Sequence, residues 1–186
     1  MPTFDEMMKG ARTLVGPCTN VKPGENVLIV ADSKMMSIAE VLVAATRERG
    51  GEPVIAVIEQ RPSDSTEPPG PVAAAMKASD VILSAVSISI THTRAVKDAA
   101  AAGARALALT AITEGMMVSG GLEADFDQVK VACQAVGRRM SRAKTAHITS
   151  REGTDITFRA EGRRVNVMPC VVEPGEFSPA PTAEVN

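Results

Sequence analysis

The sequence predicts an α/β fold, in which a parallel, Rossmann-like sheet is followed by a short and incomplete antiparallel β segment. Four short apolar runs alternate with helical patterns up to Lys144, and strands that are apolar on both faces are typical of parallel sheets covered by helices. Beyond Lys144 the pattern changes to short segments separated by Gly-containing turns, which is typical of antiparallel strands. We therefore expect an α/β domain at residues 1–144. We expect the start of a second domain, a β segment with a Pro-rich tail, at 145–186.

The first elements begin at recognisable signals. Thr3 and Glu6 form a capping box, in which the two side chains accept hydrogen bonds from free backbone N–H groups at the helix start. Ser37 and Glu40 repeat this spacing at the expected start of the second helix, and the apolar run Asn26–Ala31 predicts the first strand. The other expected elements are strands at 54–58, 81–86, 105–109, 146–149, 155–159 and 164–168, and helices at 72–78, 93–102 and 122–143.

The composition excludes several classes of protein. The 186 residues carry a formal net charge of −2 and include 4 Phe, no Tyr and no Trp. Nucleic-acid binding needs a dense basic face or aromatic side chains on which bases stack, so we expect no nucleic-acid partner. Asp5 and Glu6 stand where a signal peptide would have basic residues, and no uncharged apolar run approaches the ~20 residues of a membrane span. We expect a cytoplasmic protein without a membrane segment.

The cysteines support the same location. Cys18, Cys133 and Cys170 are odd in number, far apart and without CxxC spacing. They fit neither a disulfide framework nor a zinc knuckle, and this pattern favours a reducing compartment.

The turn after the first strand lacks the glycines of a phosphate-binding loop. Neither GxGxxG nor GxxxxGKS occurs in the sequence, so a dinucleotide site of the usual kind is disfavoured. Open parallel sheets still place their functional groups at the carboxyl ends of the strands. One hypothesis is therefore a non-catalytic module that binds a small ligand or a partner there. The residues expected to gather at that edge are Asp32, Ser33, Ser87, His92 and Thr113.

His92 is the candidate catalytic residue. It lies between Thr91 and Thr93 at a strand-to-helix turn, where an imidazole can move a proton. The alternative is that a threonine caps the helix and His92 makes a structural hydrogen bond. His147 lies within a strand pattern and is interpreted as a solvated residue. Two distant histidines do not assemble a zinc or iron site by themselves.

Three local strings and the order of the segments resemble the amino-terminal half of the aminopeptidase T family of thermophilic metallo-aminopeptidases. The 2,5-dihydroxypyridine 5,6-dioxygenases resemble that family in architecture. The strings are Thr91–Ala95 with Gly103–Arg105, His147–Ser150 with Gly153–Ile156, and Pro174–Phe177 running to Ala183–Val185.

The resemblance implies a metal site. The family carries its first metal-binding carboxylate in a Gly-Glu-Val string, so Glu184 is the candidate metal ligand, with Ala183 in place of the more common glycine. The metal would be zinc, cobalt or iron. A peptidase would use two divalent ions to activate a water molecule, whereas a dioxygenase would use one non-haem Fe(II) to bind dioxygen. The resemblance favours the peptidase slightly and leaves both open.

The resemblance also implies that the donor set is incomplete. The remaining ligands of the family, a second Glu, a His and a His-x-Asp pair, lie downstream of the first carboxylate, and only Val185 and Asn186 follow Glu184. The expected function is that of an amino-terminal domain of a metal-dependent aminopeptidase-like hydrolase, inactive alone. The expected partner is a missing carboxy-terminal domain or a second subunit. A homo-oligomer is also expected, because a domain without its neighbour exposes apolar surface.

Overall fold

A parallel five-stranded sheet forms the centre of the molecule, as the sequence predicts. The computed structural model describes residues 1–186, and its main sheet has the strand order β2-β1-β3-β4-β8 with every neighbouring pair parallel. Two small antiparallel sheets, β5-β6 and β7-β9, complete the β structure. The strands are β1 Asn26–Ala31, β2 Glu52–Val57, β3 Val81–Ala85, β4 Arg105–Ala108, β5 Thr145–Thr149, β6 Asp155–Arg159, β7 Val167–Met168, β8 Phe177–Pro179 and β9 Glu184–Val185.

Helices cover both faces of the main sheet, because alternate residues of each central strand point to opposite sides. Val27 and Ile29 of β1 belong to the larger core, and Leu28 and Val30 belong to the smaller one. The helices α1 and α2 pack on the first face and α3 and α4 on the second. The helices are α1 Phe4–Thr13, α2 Met36–Glu48, α3 Gly70–Lys77, α4 Arg94–Ala101, α5 Glu114–Val118 and α6 Phe126–Met140. No helix combines the length and the apolar character that crossing a membrane requires.

The first helix, α1, is stabilised by a capping box at its start and by close packing against α5. The predicted capping box is present, since the Glu6 N–H donates to the Thr3 hydroxyl and the Thr3 N–H donates to the Glu6 carboxylate. Gly10 lets α1 approach α5 closely, because a Cβ atom at this position would lie 2.5 Å from the Met117 carbonyl oxygen. A π-helical turn, Leu14–Cys18, continues α1.

Two predicted helix starts differ from the structure. Ser37 lies inside α2 and does not cap it, and the N-cap hydrogen bond comes earlier, from the Lys34 N–H to the Asp32 carboxylate. A 3₁₀ turn, Ser33–Met35, therefore precedes α2. The predicted helix at 122–143 begins at Phe126, because the Asp125 carboxylate caps it.

The last forty or so residues are only partly attached to the main sheet. The β5–β6 hairpin is solvent-exposed on both faces except at Ala146. In contrast, β8 pairs with β4 and is the fifth strand of the main sheet. The domain boundary at residue 144 stays a prediction, and the segment 145–186 contributes to the first fold as well as forming the small sheets.

Candidate functional site

The crevice between the carboxyl ends of β1 and β3 is closed by a buried carboxylate. This crevice is the point where the strand order reverses, which is the usual ligand position in open α/β sheets. Asp32 is 1% exposed and accepts hydrogen bonds from the Ser87 N–H at 2.7 Å and the Ser87 hydroxyl at 2.5 Å. The Lys34 N–H donates to the other oxygen at 3.0 Å. Asp32 therefore joins the ends of two strands.

The loop between β2 and α3 covers this edge and is held by two further carboxylates. Asp64 accepts a hydrogen bond from the Ser89 N–H at 2.9 Å. Glu67 accepts from the Arg94 N–H at 2.6 Å and the Ala95 N–H at 3.2 Å. A carboxylate at a helix N-terminus satisfies free N–H groups and is attracted by the helix dipole, so Glu67 fixes the loop to the start of α4.

A cavity of about 970 Å³ lies away from this crevice, beside β4 and β8. One wall comes from the turn between β3 and α4 and contributes Ser89, Thr91 and His92. Other parts of the wall come from the segment 164–172 and from β9. The strand β8 adds Phe177 and Pro179. The sheet thus presents a ligand-sized space at the carboxyl end of β4.

His92 lines this cavity from the turn that precedes α4. Its neighbour Thr93 caps α4, since the Val96 N–H donates to the Thr93 hydroxyl, and Thr91 bonds to Ser89. The predicted capping of the helix by a threonine is therefore confirmed. The side chain of His92 itself is exposed. The ring contacts Phe177 edge to face, with centroids 6.4 Å apart.

Glu184 also lines this cavity. It lies in β9, where it pairs with Met168, and its carboxylate accepts a hydrogen bond from the Asn186 side chain. Two cationic side chains, Lys97 and Arg164, and a second carboxylate, Glu176, also line the cavity. The structure therefore brings together both residues that the sequence singled out.

The other residues expected at the carboxyl edge have different positions. Asp32 and Ser87 bond to each other. Thr113 caps α5 by accepting from the Met116 N–H. Ser33 lies in the exposed 3₁₀ turn, and none of these residues lines the cavity. His147 pairs with Asp155 at 2.7 Å on the hairpin, also outside it.

The part of the wall formed by Val171 and Val172 is held by contacts of this segment with the rest of the chain. The Val172 N–H donates to the Cys18 carbonyl oxygen at 2.9 Å. The next residue, Glu173, accepts a hydrogen bond from the Lys130 ammonium group at 2.5 Å, and this bond lowers the pKa of Glu173. The cavity wall is thus anchored to the turn after α1 and to α6.

The donor set does not fit a metal centre built by this chain alone. No three His, Cys, Asp or Glu side chains lie close enough to hold an ion. Metal sites of the zinc and non-haem iron types use three or more such donors. Glu184 and His92 border one cavity, but they do not form a cage.

The family of the chain is decided by a comparison with sequence families. The model of the 2,5-dihydroxypyridine 5,6-dioxygenase family matches residues 9–185. The chain belongs to this family. No curated protein matches it.

A solved structure shows the same fold as this family member. The 2,5-dihydroxypyridine dioxygenase from Pseudomonas putida KT2440 superposes with a TM-score of 0.79 at 12% sequence identity. The match covers 100% of this chain and 56% of that enzyme. The dioxygenase-family chain therefore spans little more than half the length of that relative.

The expectation of an aminopeptidase-like hydrolase was wrong, because the matching family is that of the dioxygenases. The sequence strings that suggested the aminopeptidase T family have structural roles in this fold. Pro174–Phe177 forms a turn into β8, with Gly175 at a φ of 87°, and Thr91–Ala95 forms the turn and cap of α4. Such strings are set by the fold and do not by themselves separate a peptidase from a dioxygenase.

Several residues of the site carry no local signal in the sequence. Lys97 and Arg164 line the cavity, yet each is an ordinary charged residue of a helix or of a basic pair. Glu67 reaches the start of α4 from 27 residues away. A glutamate in a Pro-rich loop does not by itself indicate a helix cap, because a cap supplied from such a distance depends on tertiary structure.

Proposed function

We propose that the chain is the substrate-binding part of a ring-cleaving dioxygenase of the 2,5-dihydroxypyridine type, and that the cavity beside β4 and β8 binds the ring. The observation that carries this proposal is the family match over residues 9–185. The cavity supports it, because its wall offers the flat side chains of His92, Phe177 and Pro179 beside hydroxyl and cationic groups.

The charges around the cavity suit a hydroxylated heteroaromatic ring. Lys97 and Arg164 favour the deprotonated form of a ring hydroxyl, since a nearby positive charge stabilises the anion. His92 is the candidate proton acceptor, because an imidazole ring nitrogen can accept a proton. The edge-to-face contact with Phe177 orients the imidazole.

Ring cleavage with dioxygen requires a metal, for which iron is our proposal. Glu184 is the donor that this chain would contribute. No two further His, Cys, Asp or Glu side chains lie close enough to complete a site with it. We propose that the remaining ligands come from a carboxy-terminal domain or a second subunit, which would also make this chain inactive alone. A homo-oligomer remains our prediction, and a monodisperse monomer in light scattering would contradict it.

The test measures binding of the ring compound to the metal-free chain. We expect 2,5-dihydroxypyridine to bind with saturation in anaerobic calorimetry, and pyridine to bind at least about tenfold more weakly for lack of hydroxyl groups. His92→Ala should weaken binding about tenfold or more. His147→Ala is the matched control, because it removes a histidine outside the cavity, and it should bind like the wild type. The proposal fails if the wild type shows no saturation at millimolar ligand.

A second candidate function is ligand binding without catalysis. The lack of any three-donor cluster favours it. Oxygen consumption distinguishes ring cleavage from binding without catalysis. It is measured after the chain is mixed with Fe(II) and with the separately produced carboxy-terminal domain of the proposed dioxygenase. Consumption that depends on both components and falls on Glu184→Gln supports the enzyme. Ring binding with no oxygen uptake in the mixture supports the module.

A further inference from the structure

Two thiols that are 152 residues apart in the sequence meet in the core. The Cys170 Sγ donates a hydrogen bond to the Cys18 Sγ at 3.7 Å. Both residues are fully buried, and both are free cysteines. The hydrogen bond from the Val172 N–H to the Cys18 carbonyl oxygen holds the two backbones side by side.

Both thiols lie on irregular backbone. Cys18 ends a π-helical turn that contains Pro17. Cys170 has a φ of 65°, in the left-handed region, which is uncommon for residues other than glycine. Such a conformation persists only where the surrounding contacts hold it. Here those contacts direct one thiol at the other.

We infer that Cys18 and Cys170 are a site of oxidative modification, at which a disulfide forms and fastens the cavity wall to the turn after α1. The inference goes beyond the proposed function and does not depend on it. Its importance for the cavity follows from the neighbouring residues, since Val171 and Val172 line that space.

The oxidant is a small disulfide of the glutathione class. The thiolate of one cysteine attacks a sulfur atom of the oxidant and displaces one thiol. The second cysteine then attacks the mixed disulfide, forms the Cys18–Cys170 bond and displaces the other thiol. The protein loses two protons and two electrons, and the oxidant gains them as two free thiols.

The closed structure makes this exchange slow. The two sulfur atoms must approach by about 1.7 Å to reach bonding distance. The contact with the Cys170 thiol and the burial of the side chain raise the pKa of Cys18, and the same contact lowers the pKa of Cys170. Only a thiolate attacks a disulfide, and both thiols are fully buried. Oxidation therefore needs a transient opening of the wall. The same burial protects the finished bond from reduction.

The experiment uses the full chain with Cys133→Ser, which leaves only the two cysteines of interest. Cys133 is buried on α6, and its removal prevents other pairings. The protein is incubated with oxidised glutathione for several days, with and without urea below the unfolding transition, and digested without reduction. We expect a cross-linked pair of peptides that contain Cys18 and Cys170, formed faster in urea.

Two further readouts connect the bond to the wall. The oxidised form should melt about 10 °C higher than the reduced form, because the bond closes a long loop, and dithiothreitol should reverse the shift after unfolding. The amide hydrogen of Val172, which reports opening beside Cys18, should exchange at least about tenfold more slowly.

The decisive outcomes come from the protein that keeps both thiols, and a variant at one thiol serves as the control. Full alkylation of both cysteines after incubation in urea would overturn the inference, and so would a stable mixed disulfide at one cysteine as the end product. A disulfide that lowers the melting temperature would also overturn it, since the bond would then distort the wall. Cys170→Ala, incubated in parallel, should give only the glutathione adduct of Cys18.

Discussion

The Asp32 carboxylate accepts hydrogen bonds from both the backbone N–H and the hydroxyl of Ser87, at 2.7 Å and 2.5 Å. These bonds connect the ends of β1 and β3 at the point where the strand order reverses. A space that many α/β proteins use for a ligand is here filled by the protein's own side chain. The cavity that remains is beside β4 and β8.

Replacement of this carboxylate should destabilise the fold. We expect Asp32→Ala to lower the free energy of unfolding by about 3 kcal/mol, because it leaves buried N–H and hydroxyl groups without an acceptor. Urea unfolding followed by circular dichroism measures the change. Asp98→Ala is the control, since Asp98 is an exposed residue with a surface ion pair, and it should change the stability by less than about 0.5 kcal/mol. Equal effects would contradict the structural role of Asp32.

The close approach of α1 and α5 gives a second prediction. Gly10→Ala should cost about 2 kcal/mol, because its Cβ would lie 2.5 Å from a backbone oxygen of Met117, which cannot move aside as a side chain would. Gly70→Ala is the matched control, since a Cβ there meets nothing within 4 Å. Thermal melting of both variants provides the comparison. A Gly10→Ala protein as stable as the control would show that the two helices separate easily.

The capping box of α1 predicts a pH dependence. The hydrogen bond from the Thr3 N–H, at 2.7 Å, lowers the pKa of Glu6 below that of an unfolded glutamate. The contribution of Glu6 is therefore present above an unfolded pKa of about 4.3 and is lost as the pH falls through the folded pKa. Glu6→Gln should lower the melting temperature at pH 7 and have no effect at pH 2.

A control separates this effect from a general loss of charge. Glu40→Gln removes an exposed carboxylate of α2, and its difference from the wild type should not follow the same pH profile. A constant difference between Glu6→Gln and the wild type from pH 7 to pH 2 would show that the charge of Glu6 is irrelevant to the cap.

The incomplete donor set gives a prediction for metal binding. We expect the chain alone to retain Fe(II), Co(II) or Zn(II) far below one ion per chain after gel filtration, since one carboxylate binds a divalent ion weakly. Elemental analysis of the protein fraction measures it. Stoichiometric retention that Glu184→Gln abolishes would mean that these residues do form a complete centre.

The sequence predicts the fold well where local patterns decide it. The bounds of β1 agree with the run Asn26–Ala31, because its last five residues are apolar and buried, as a strand covered on both faces requires. The start of α2 did not agree, since Asp32 precedes Ser37 and takes the capping position. Val131 and Val136 fit a helical apolar pattern, yet they are exposed on α6.

The site is less predictable than the fold because it depends on distant packing. His92 and Glu184 were both expected to matter, and both line one cavity. Nothing local indicated that they line the same space, since β8 must first pair with β4 and β9 with β7. The meeting of Cys18 and Cys170 has the same origin. Spacing in the sequence excluded a disulfide framework, whereas the fold placed two of the three thiols together.

The late position of β8 in the chain has a consequence for synthesis on the ribosome. One side of β4 has no hydrogen-bonding neighbour until Phe177–Pro179 has left the exit tunnel. An unpaired strand edge is a template for association with other chains. A nascent polypeptide therefore passes through an interval in which chaperone binding at β4 would be most useful, and this interval ends when the tail docks.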